Sequence, residues 1–285
     1  MDNSTINKII VITGSSTGIG KACALHLDKL GYKIYAGVRK QTDGDSLREE
    51  ASDTLTPIIL DVTDTKSIAS TVSIIEKETG GNIFGLINNA GIGRSGVLEA
   101  IPVDEIRNVM DVNVIGLMAM TKAMIPMLRK NKGRIINIGS TASFLASPGA
   151  SAYAASKFAV RAITDSLRLE LKPFGMSVIL VAPGAVESEI WEKGAAYKNE
   201  MRKSIKPEIA KLYSTLIKFG EKLVKEIKKI PAEEVAKSVA DALASVKPKP
   251  YYIVGKDAKA GVKVARLPKS LLDWIFLKRI QKLGK

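Results

Sequence analysis

Residues 8–20 read Lys8-Ile9-Ile10-Val11-Ile12-Thr13-Gly14-Ser15-Ser16-Thr17-Gly18-Ile19-Gly20 and run straight into Lys21-Ala22-Cys23-Ala24-Leu25. Four consecutive β-branched apolar residues, Ile9, Ile10, Val11 and Ile12, suit a strand buried on both faces, as in a parallel sheet covered by helices. The apolar spacing after Gly20 predicts a helix. Between the two lie three glycines spaced Gly-x-x-x-Gly-x-Gly. Glycine permits positive φ and close backbone approach, and the N–H groups at the positive end of the following helix attract an anion. A dinucleotide pyrophosphate is therefore the expected occupant, held by Gly14, Ser16, Thr17, Gly18, Ile19 and Gly20; the alternative is a mere turn. The spacing departs from the Gly-x-Gly-x-x-Gly fingerprint, so the strand-to-helix setting carries the reading.

The same two patterns repeat along the chain. Apolar, β-branched runs at residues 8–13, 33–38, 57–60, 83–88, 134–139, 176–182 and 251–254 predict seven strands. Segments 19–30, 66–79, 103–128, 152–171 and 232–245 carry helical apolar spacing. This alternation predicts one α/β domain, a Rossmann-type doubly wound parallel sheet of about seven strands with helices on both sides. The domain is expected over residues 1–260, with a tail at 261–285. Alternation fails over 187–230, where Ile205, Ile209, Leu212, Leu216 and Leu223 sit among lysines, so a helical insertion is expected there.

Composition removes several classes of function. One cysteine, Cys23, forbids an internal disulfide, and one histidine, His26, leaves neither a zinc site nor a Ser/His/Asp triad. No run approaches the roughly 18 consecutive apolar residues of a membrane span, and residues 1–7 are too polar and short for a secretory signal, so a cytoplasmic protein is expected. Charge is distributed unevenly. Residues 1–190 hold 20 Lys and Arg against 19 Asp and Glu, whereas residues 191–285 hold 23 against 10. A basic final third suggests an anionic partner, such as an acidic lipid surface or an acidic carrier protein; a merely solvated face is the alternative. Nucleic acid is not expected, because the lysines are not interleaved with a stacking aromatic platform.

The end of the second predicted strand reads Ala36-Gly37-Val38-Arg39-Lys40. A carboxylate there would accept hydrogen bonds from a ribose 2'-hydroxyl, yet none occurs before Asp43. Arg39 and Lys40 stand instead where a 2'-phosphate would lie, which favours NADP(H) over NAD(H). Tyr153-Ala154-Ala155-Ser156-Lys157 places a phenol and an ammonium one helical turn apart. Beside Lys157 and an oxidised nicotinamide, the phenol would ionise more readily than its ordinary value near 10 allows, making it a usable acid/base. Ser140, at the end of strand 134–139, would lie at the carboxyl edge of the sheet, where ligands of such folds bind.

The glycine loop, Asn88-Asn89-Ala90-Gly91, Asn113, Ser140, Tyr153-x-x-x-Lys157 and Pro183-Gly184 resemble, in order and approximate spacing, the short-chain dehydrogenase/reductases. The resemblance covers about residues 8–190 and returns at 251–255. It implies a single Rossmann-type domain, a homodimer or homotetramer, and hydride transfer between a nicotinamide and a carbonyl or alcohol. It implies that Tyr153 is the acid/base, that Ser140 orients the substrate oxygen, and that Lys157 holds the nicotinamide ribose. Asn113 would support a proton-relay water beside Lys157. Asn88, Ala90 and Gly91 would shape the fourth strand's edge over the cofactor, and Asp61 and Val62 would meet the adenine; capping is the alternative for the asparagines. Pro183, Gly184, Val186 and Ser188 would line the nicotinamide side, Ser188 standing where many members have threonine. Tyr35-Ala36-Gly37-Val38-Arg39 is similar to the hydroxysteroid and retinol dehydrogenase branch, which implies an apolar ketone, aldehyde or secondary alcohol as substrate.

By the same resemblance, residues 187–230 form a substrate lid in which Ile190, Trp191, Ile209, Leu212, Tyr213 and Leu216 either line an apolar pocket or pack the lid to the body. Residues 267–282, with Trp274, Ile275, Phe276 and Leu277 flanked by cations and Pro268 suited to a first helical turn, are expected to lie in a membrane interface or to dock on a neighbouring subunit; disorder is the alternative. Two competing readings accompany the leading one: reduction of a 3-ketoacyl group on an acidic carrier protein, and a non-catalytic NADP(H) sensor.

Overall fold

The computed structural model describes residues 8–188, 194, 197 and 205–283. Seven strands form one parallel sheet in the order β3-β2-β1-β4-β5-β6-β7. They are β1 (Ile9–Ile12), β2 (Lys33–Val38), β3 (Leu55–Ile59), β4 (Gly85–Asn88), β5 (Arg134–Ile138), β6 (Ser177–Pro183) and β7 (Tyr251–Val254). The reversal of order between β1 and β4 is the switch point of a doubly wound sheet, which opens a crevice outside the carboxyl ends of the strands. Every predicted strand is present. β3 starts two residues earlier than expected because Pro57 pairs with Ala36 inside it; at the sheet edge a missing N–H is tolerated.

The strands are apolar on both faces because both faces are covered. Ile10 and Ile12 join Cys23, Ala24 and Leu27 of α1 (Gly18–Lys29) and Val235, Ala236 and Val239 of α9 (Ala232–Ala244) in one layer. Val11 and Leu86 join Ile68 and Ile75 of α3 (Thr65–Thr79) and Met120, Met124 and Leu128 of α5 (Leu117–Lys130) in the other. Each fully buried side chain of β1 contributes about 2 kcal/mol by leaving water. Between β2 and β3 lies α2 (Gln41–Glu49), a polar helix that buries only Gly44 and Leu47.

Where a single helix is expected over 103–128, the chain forms α4 (Val103–Met110), a π-helical turn over Asp111–Gly116, and then α5. Residues 103–130 are long enough to cross a membrane, and an 18-residue stretch within them reaches a mean hydropathy of 1.3. They lie instead along the sheet with Val109, Met120, Met124 and Leu128 fully buried, as a core helix does. The helix that carries Tyr153 and Lys157 is α6 (Ser151–Leu171). After β6 come α7 (Pro207–Leu212) and α8 (Ser214–Glu226), the helical insertion expected from the lysine-studded pattern. Beyond β7 the chain continues through α10 (Lys256–Val264) and α11 (Lys269–Leu283).

Candidate active site

The glycine loop turns from β1 into α1 with Gly14 at φ 68° and Gly18 at φ 56°. A side chain at Gly20 would overlap the Gly14 carbonyl oxygen and Asn89 Nδ2, so the helix start can approach the turn only as glycine. The first turn of α1 carries no acidic residue, and Thr17 at its N-cap makes no side-chain capping bond, leaving an electropositive helix end at the crevice. Ser16, Thr17 and Ile19 line this turn partly exposed, while Ser15 is buried, its N–H donating to Gly37 O at 2.8 Å. The cradle fits a dinucleotide pyrophosphate.

Adjacent strand ends are stapled together by Thr13 and the Asn88–Gly91 motif. Thr13 Oγ1 accepts the N–H groups of Asn89 and Ala90, both at 3.0 Å, and Asn89 Nδ2 donates to the Thr13 and Gly14 carbonyls at 3.1 and 2.8 Å. Ala90 packs against Gly14, whose added Cβ would stand 2.8 Å from Ala90 Cα. Asn88 turns its side chain the other way, into the core, donating to Thr121 Oγ1 at 2.8 Å and Asn137 Oδ1 at 2.9 Å; Asn137 passes the chain on to Thr164 Oγ1. Thr13, Asn89, Thr121, Asn137 and Thr164 left one sequence signal: polar residues in or beside otherwise apolar runs.

Arg39 and Lys40 are exposed at the end of β2, and Lys40 is the N-cap of α2. The neighbouring Asp61 accepts from Thr63 N and Oγ1 at 2.9 and 2.7 Å. Partial burial pushes the Asp61 carboxyl up, but the two Thr63 bonds and the Arg39 charge outweigh it and hold the group below the ordinary carboxylate range. Val62 is buried against Gly116 of the π-turn.

Ser140, Asn113, Tyr153 and Lys157 converge at the carboxyl ends of β4, β5 and β6. Asn113, fully buried, accepts from Ile92 N at 2.8 Å and donates to Ile92 O and to Ser156 Oγ, both at 3.0 Å. Ser156 donates to Tyr153 O at 2.7 Å, which ties the π-turn to α6. The π-turn accounts for the break in the expected helix: one extra residue per turn aims Asn113 at the loop after β4, with Gly91 close against its Oδ1. Lys157 Nζ donates to Ile138 O at 2.9 Å and lies 5.9 Å from the centre of the Tyr153 ring. Ser140 begins a short turn, its Oγ accepting Ala142 N–H at 3.1 Å.

Burial raises the Tyr153 phenol above its ordinary value, and a hydrogen bond with the Ser140 side chain pulls it part of the way back. The lowering expected from the sequence is therefore not met in the protein alone, because desolvation of the phenolate outweighs its neighbours. Burial lowers the Lys157 ammonium to about 8. Its folded value lies below the unfolded value near 10.4, so the cost of burying the charge is fully present below pH ~8 and relieved as pH rises towards ~10.4. Lys157→Met is expected to be more stable than the native protein near pH 7 by about 3 kcal/mol, the gap closing at high pH. Urea unfolding across this range checks it; a gap that stays constant with pH contradicts the buried-charge account.

At the carboxyl end of β6, Pro183 O accepts from Thr141 Oγ1 at 3.3 Å and Gly184 N donates to Val254 O at 2.9 Å. Val186 pairs with Ile230, and Ser188 lies against the glycine loop, where a Cβ on Gly18 would stand 2.8 Å from Ser188 Cβ. In the insertion, Ile209, Tyr213 and Leu216 are partly buried, while Leu212 is 76% exposed and does not line a pocket. Ile190 and Trp191 lie outside the described residues. Phe219, passed over in the sequence, is the buried anchor of α8.

Residues 8–199 match the family model described as short chain dehydrogenase. The NADPH-dependent 3-dehydrocapnine reductase of Ornithobacterium rhinotracheale is 34% identical over 96% of this chain and 97% of that protein. The 17-beta-hydroxysteroid dehydrogenase type 6 of Bos taurus is 34% identical over 95% of this chain and 88% of that protein. A short chain dehydrogenase from Burkholderia cenocepacia, solved in complex with NADP, superposes with a TM-score of 0.72 and 27% identity over 96% of this chain and 98% of that one. Glycine cradle, strand order and near-full-length relatives agree, and the chain belongs to the short chain dehydrogenases, an oxidoreductase acting on CH–OH and C=O groups.

Proposed function

We propose that the protein transfers hydride between NADP(H) and an apolar ketone, aldehyde or secondary alcohol of steroid, retinoid or lipid-like character. The observation that carries the proposal is the buried Tyr153 phenol beside the Ser140 side chain at the carboxyl edge of the sheet, with Lys157 Nζ on the next helical turn 5.9 Å from its ring centre. The nicotinamide supplies the hydride when bound. In reduction, the Ser140 hydroxyl holds the substrate carbonyl oxygen and Tyr153 Oη gives it a proton. Lys157, poised near neutrality, contacts the ribose and favours the phenolate that remains, while Asn113 fixes the loop after β4 through both amide atoms of its side chain. Gly14, Ser16, Thr17, Gly18, Ile19 and Gly20 hold the pyrophosphate, Asp61 and Val62 border the adenine, and Ala90, Gly91, Pro183, Gly184, Val186 and Ser188 border the nicotinamide. Asn88 acts from the core by fixing the end of β4.

NADP(H) is preferred because Arg39 and Lys40 stand exposed at the end of β2 while Asp61 is held by Thr63. The NADPH-dependent relative and the NADP-bound structure support this preference. The steroid dehydrogenase among the relatives supports an apolar substrate. Exposed apolar residues Ile115, Met118, Phe158 and Leu169 support a homodimer or homotetramer. The test is loss of reduced-nicotinamide absorbance over a panel of steroid, retinoid, medium-chain and carrier-bound 3-ketoacyl carbonyls, with NADPH and NADH in parallel. Turnover of the apolar carbonyls, faster with NADPH, is expected. Turnover confined to the carrier-bound substrate would move the reading to a 3-ketoacyl reductase, which the basic final third favours.

A cytoplasmic protein with peripheral membrane contact belongs to the same proposal. Helix α11 leaves Leu271, Trp274 and Leu277 exposed at 41%, 57% and 59%, and Lys278 lies over the Trp274 ring at 4.8 Å. Its other side is anchored by buried Leu272 and by Arg279, 3.7 Å from Glu226 of α8. Apolar side chains with flanking cations suit an anionic interface. The double variant Trp274→Glu/Leu277→Glu is expected to co-sediment with phosphatidylserine vesicles at least about fivefold less than the native protein. Equal co-sedimentation removes the membrane contact.

A further inference from the structure

We infer that Asp257, in the first turn of α10, is a positioning residue that sets the loop at the end of β6 for the nicotinamide; the inference rests on the active-site reading above. The loop after Pro183 has its backbone groups taken up from three directions. Gly184 N donates to Val254 O at 2.9 Å, Glu187 N donates to Ile230 O at 2.9 Å, and Ile230 N donates to Ala185 O at 2.9 Å. The N–H of Ala185 donates to Asp257 Oδ2 at 3.0 Å. It is the one member of this set satisfied by a side chain, and that side chain comes from a helix 72 residues away.

The carboxylate lies directly on Gly184. A Cβ built there would overlap both carboxylate oxygens and Cγ of Asp257, so the position is closed to any side chain while Asp257 keeps its bond. The electropositive start of α10 favours a carboxylate at this place. The same helix also braces the opposite wall: a Cβ on Gly261 would stand 2.6 Å from Thr141 Cγ2, next to Ser140. Thr141 in turn donates to Pro183 O at 3.3 Å. Helix α10 thus spans the turn that carries Ser140 and the loop that leads to Val186 and Ser188, with Asp257 as its contact to the second.

Two substitutions should then act through one hydrogen bond. In Gly184→Ala the new methyl evicts the Asp257 carboxylate from Ala185 N–H, and in Asp257→Ala the carboxylate is gone. Each is expected to raise the KM for NADPH about tenfold with kcat reduced less than threefold, as expected for loss of one charge-assisted bond to the loop. The double variant Gly184→Ala/Asp257→Ala is expected to show the same tenfold increase rather than a hundredfold one. Asp257→Asn, which keeps an oxygen to accept from Ala185, is expected to retain the native KM. NADPH affinity by fluorescence titration and the midpoint of thermal unfolding are measured on the same four variants. Multiplying effects in the double variant, or an Asp257→Asn variant as impaired as Asp257→Ala, overturns the positioning role. Failure of the active-site reading shows itself differently, as native protein that neither binds nor oxidises NADPH; a non-additive pattern in the thermal midpoints then still supports the Gly184–Asp257 coupling, and an additive one overturns it.

Discussion

Tyr153→Phe is expected to lower kcat by about a thousandfold while NADPH still binds and the protein still folds, because general acid catalysis by a placed side chain is worth about 10²- to 10⁴-fold. The substitution keeps the ring, its burial and its distance from Lys157, and removes only the hydroxyl that meets the Ser140 side chain. No neighbour takes over the proton transfer. The Ser140 hydroxyl is a far weaker acid than a phenol, and the Lys157 ammonium is directed at Ile138 O. Steady-state kinetics and a binding titration on the purified variant check this, and a loss smaller than tenfold would place the acid elsewhere.

Gly20→Ala is expected to destabilise the protein by about 3 kcal/mol and to weaken NADPH binding at least tenfold. Alanine in place of a helical glycine ordinarily gains about 1 kcal/mol in propensity. Here the methyl would fall between the Gly14 carbonyl and Asn89 Nδ2, which are themselves hydrogen-bonded at 2.8 Å, so the steric cost wins. Relief requires moving the phosphate turn away from α1 or breaking the staple between β1 and β4, and either change spoils the cradle. Gly220→Ala in α8 is the control, since nothing lies within 4 Å of its added methyl and only the propensity gain remains. Urea unfolding of both variants separates the two effects; a Gly20→Ala protein as stable as the Gly220→Ala one contradicts the close-packed turn.

The sheet was legible because its central strands, β1, β4, β5 and β6, are buried on both faces and so are mostly apolar, a pattern that survives in the linear sequence. Helix α2 was not expected: it is polar, buries two residues, and has no apolar periodicity to detect. Helix α10 is divided by the expected boundary between domain and tail at residue 260 for a related reason, since its only fully buried residue is Ala258. In the candidate site, the expected groups that the structure brings together are those held at short range on one element or at a strand end, such as Tyr153 with Lys157. The residues passed over depend on partners far along the chain. Thr13 meets Asn89 across 76 residues and Asn88 meets Asn137 across 49, and the sequence marks neither pairing. The desolvation that raises the Tyr153 phenol in the protein alone is a property of packing, whereas the neighbouring charge of Lys157 is visible in the motif.

The central claim, that this site moves hydride from NADPH to a carbonyl carbon with Tyr153 supplying the proton, is tested most directly by isotope transfer. NADPH deuterated on either face of the transferring ring carbon is incubated with an accepted apolar ketone, and the alcohol is analysed by mass spectrometry. Deuterium at the carbinol carbon from one face only, lost together with turnover in Tyr153→Phe, is the predicted result. Alcohol formed without deuterium from either face, or labelled product undiminished in Tyr153→Phe, would contradict it.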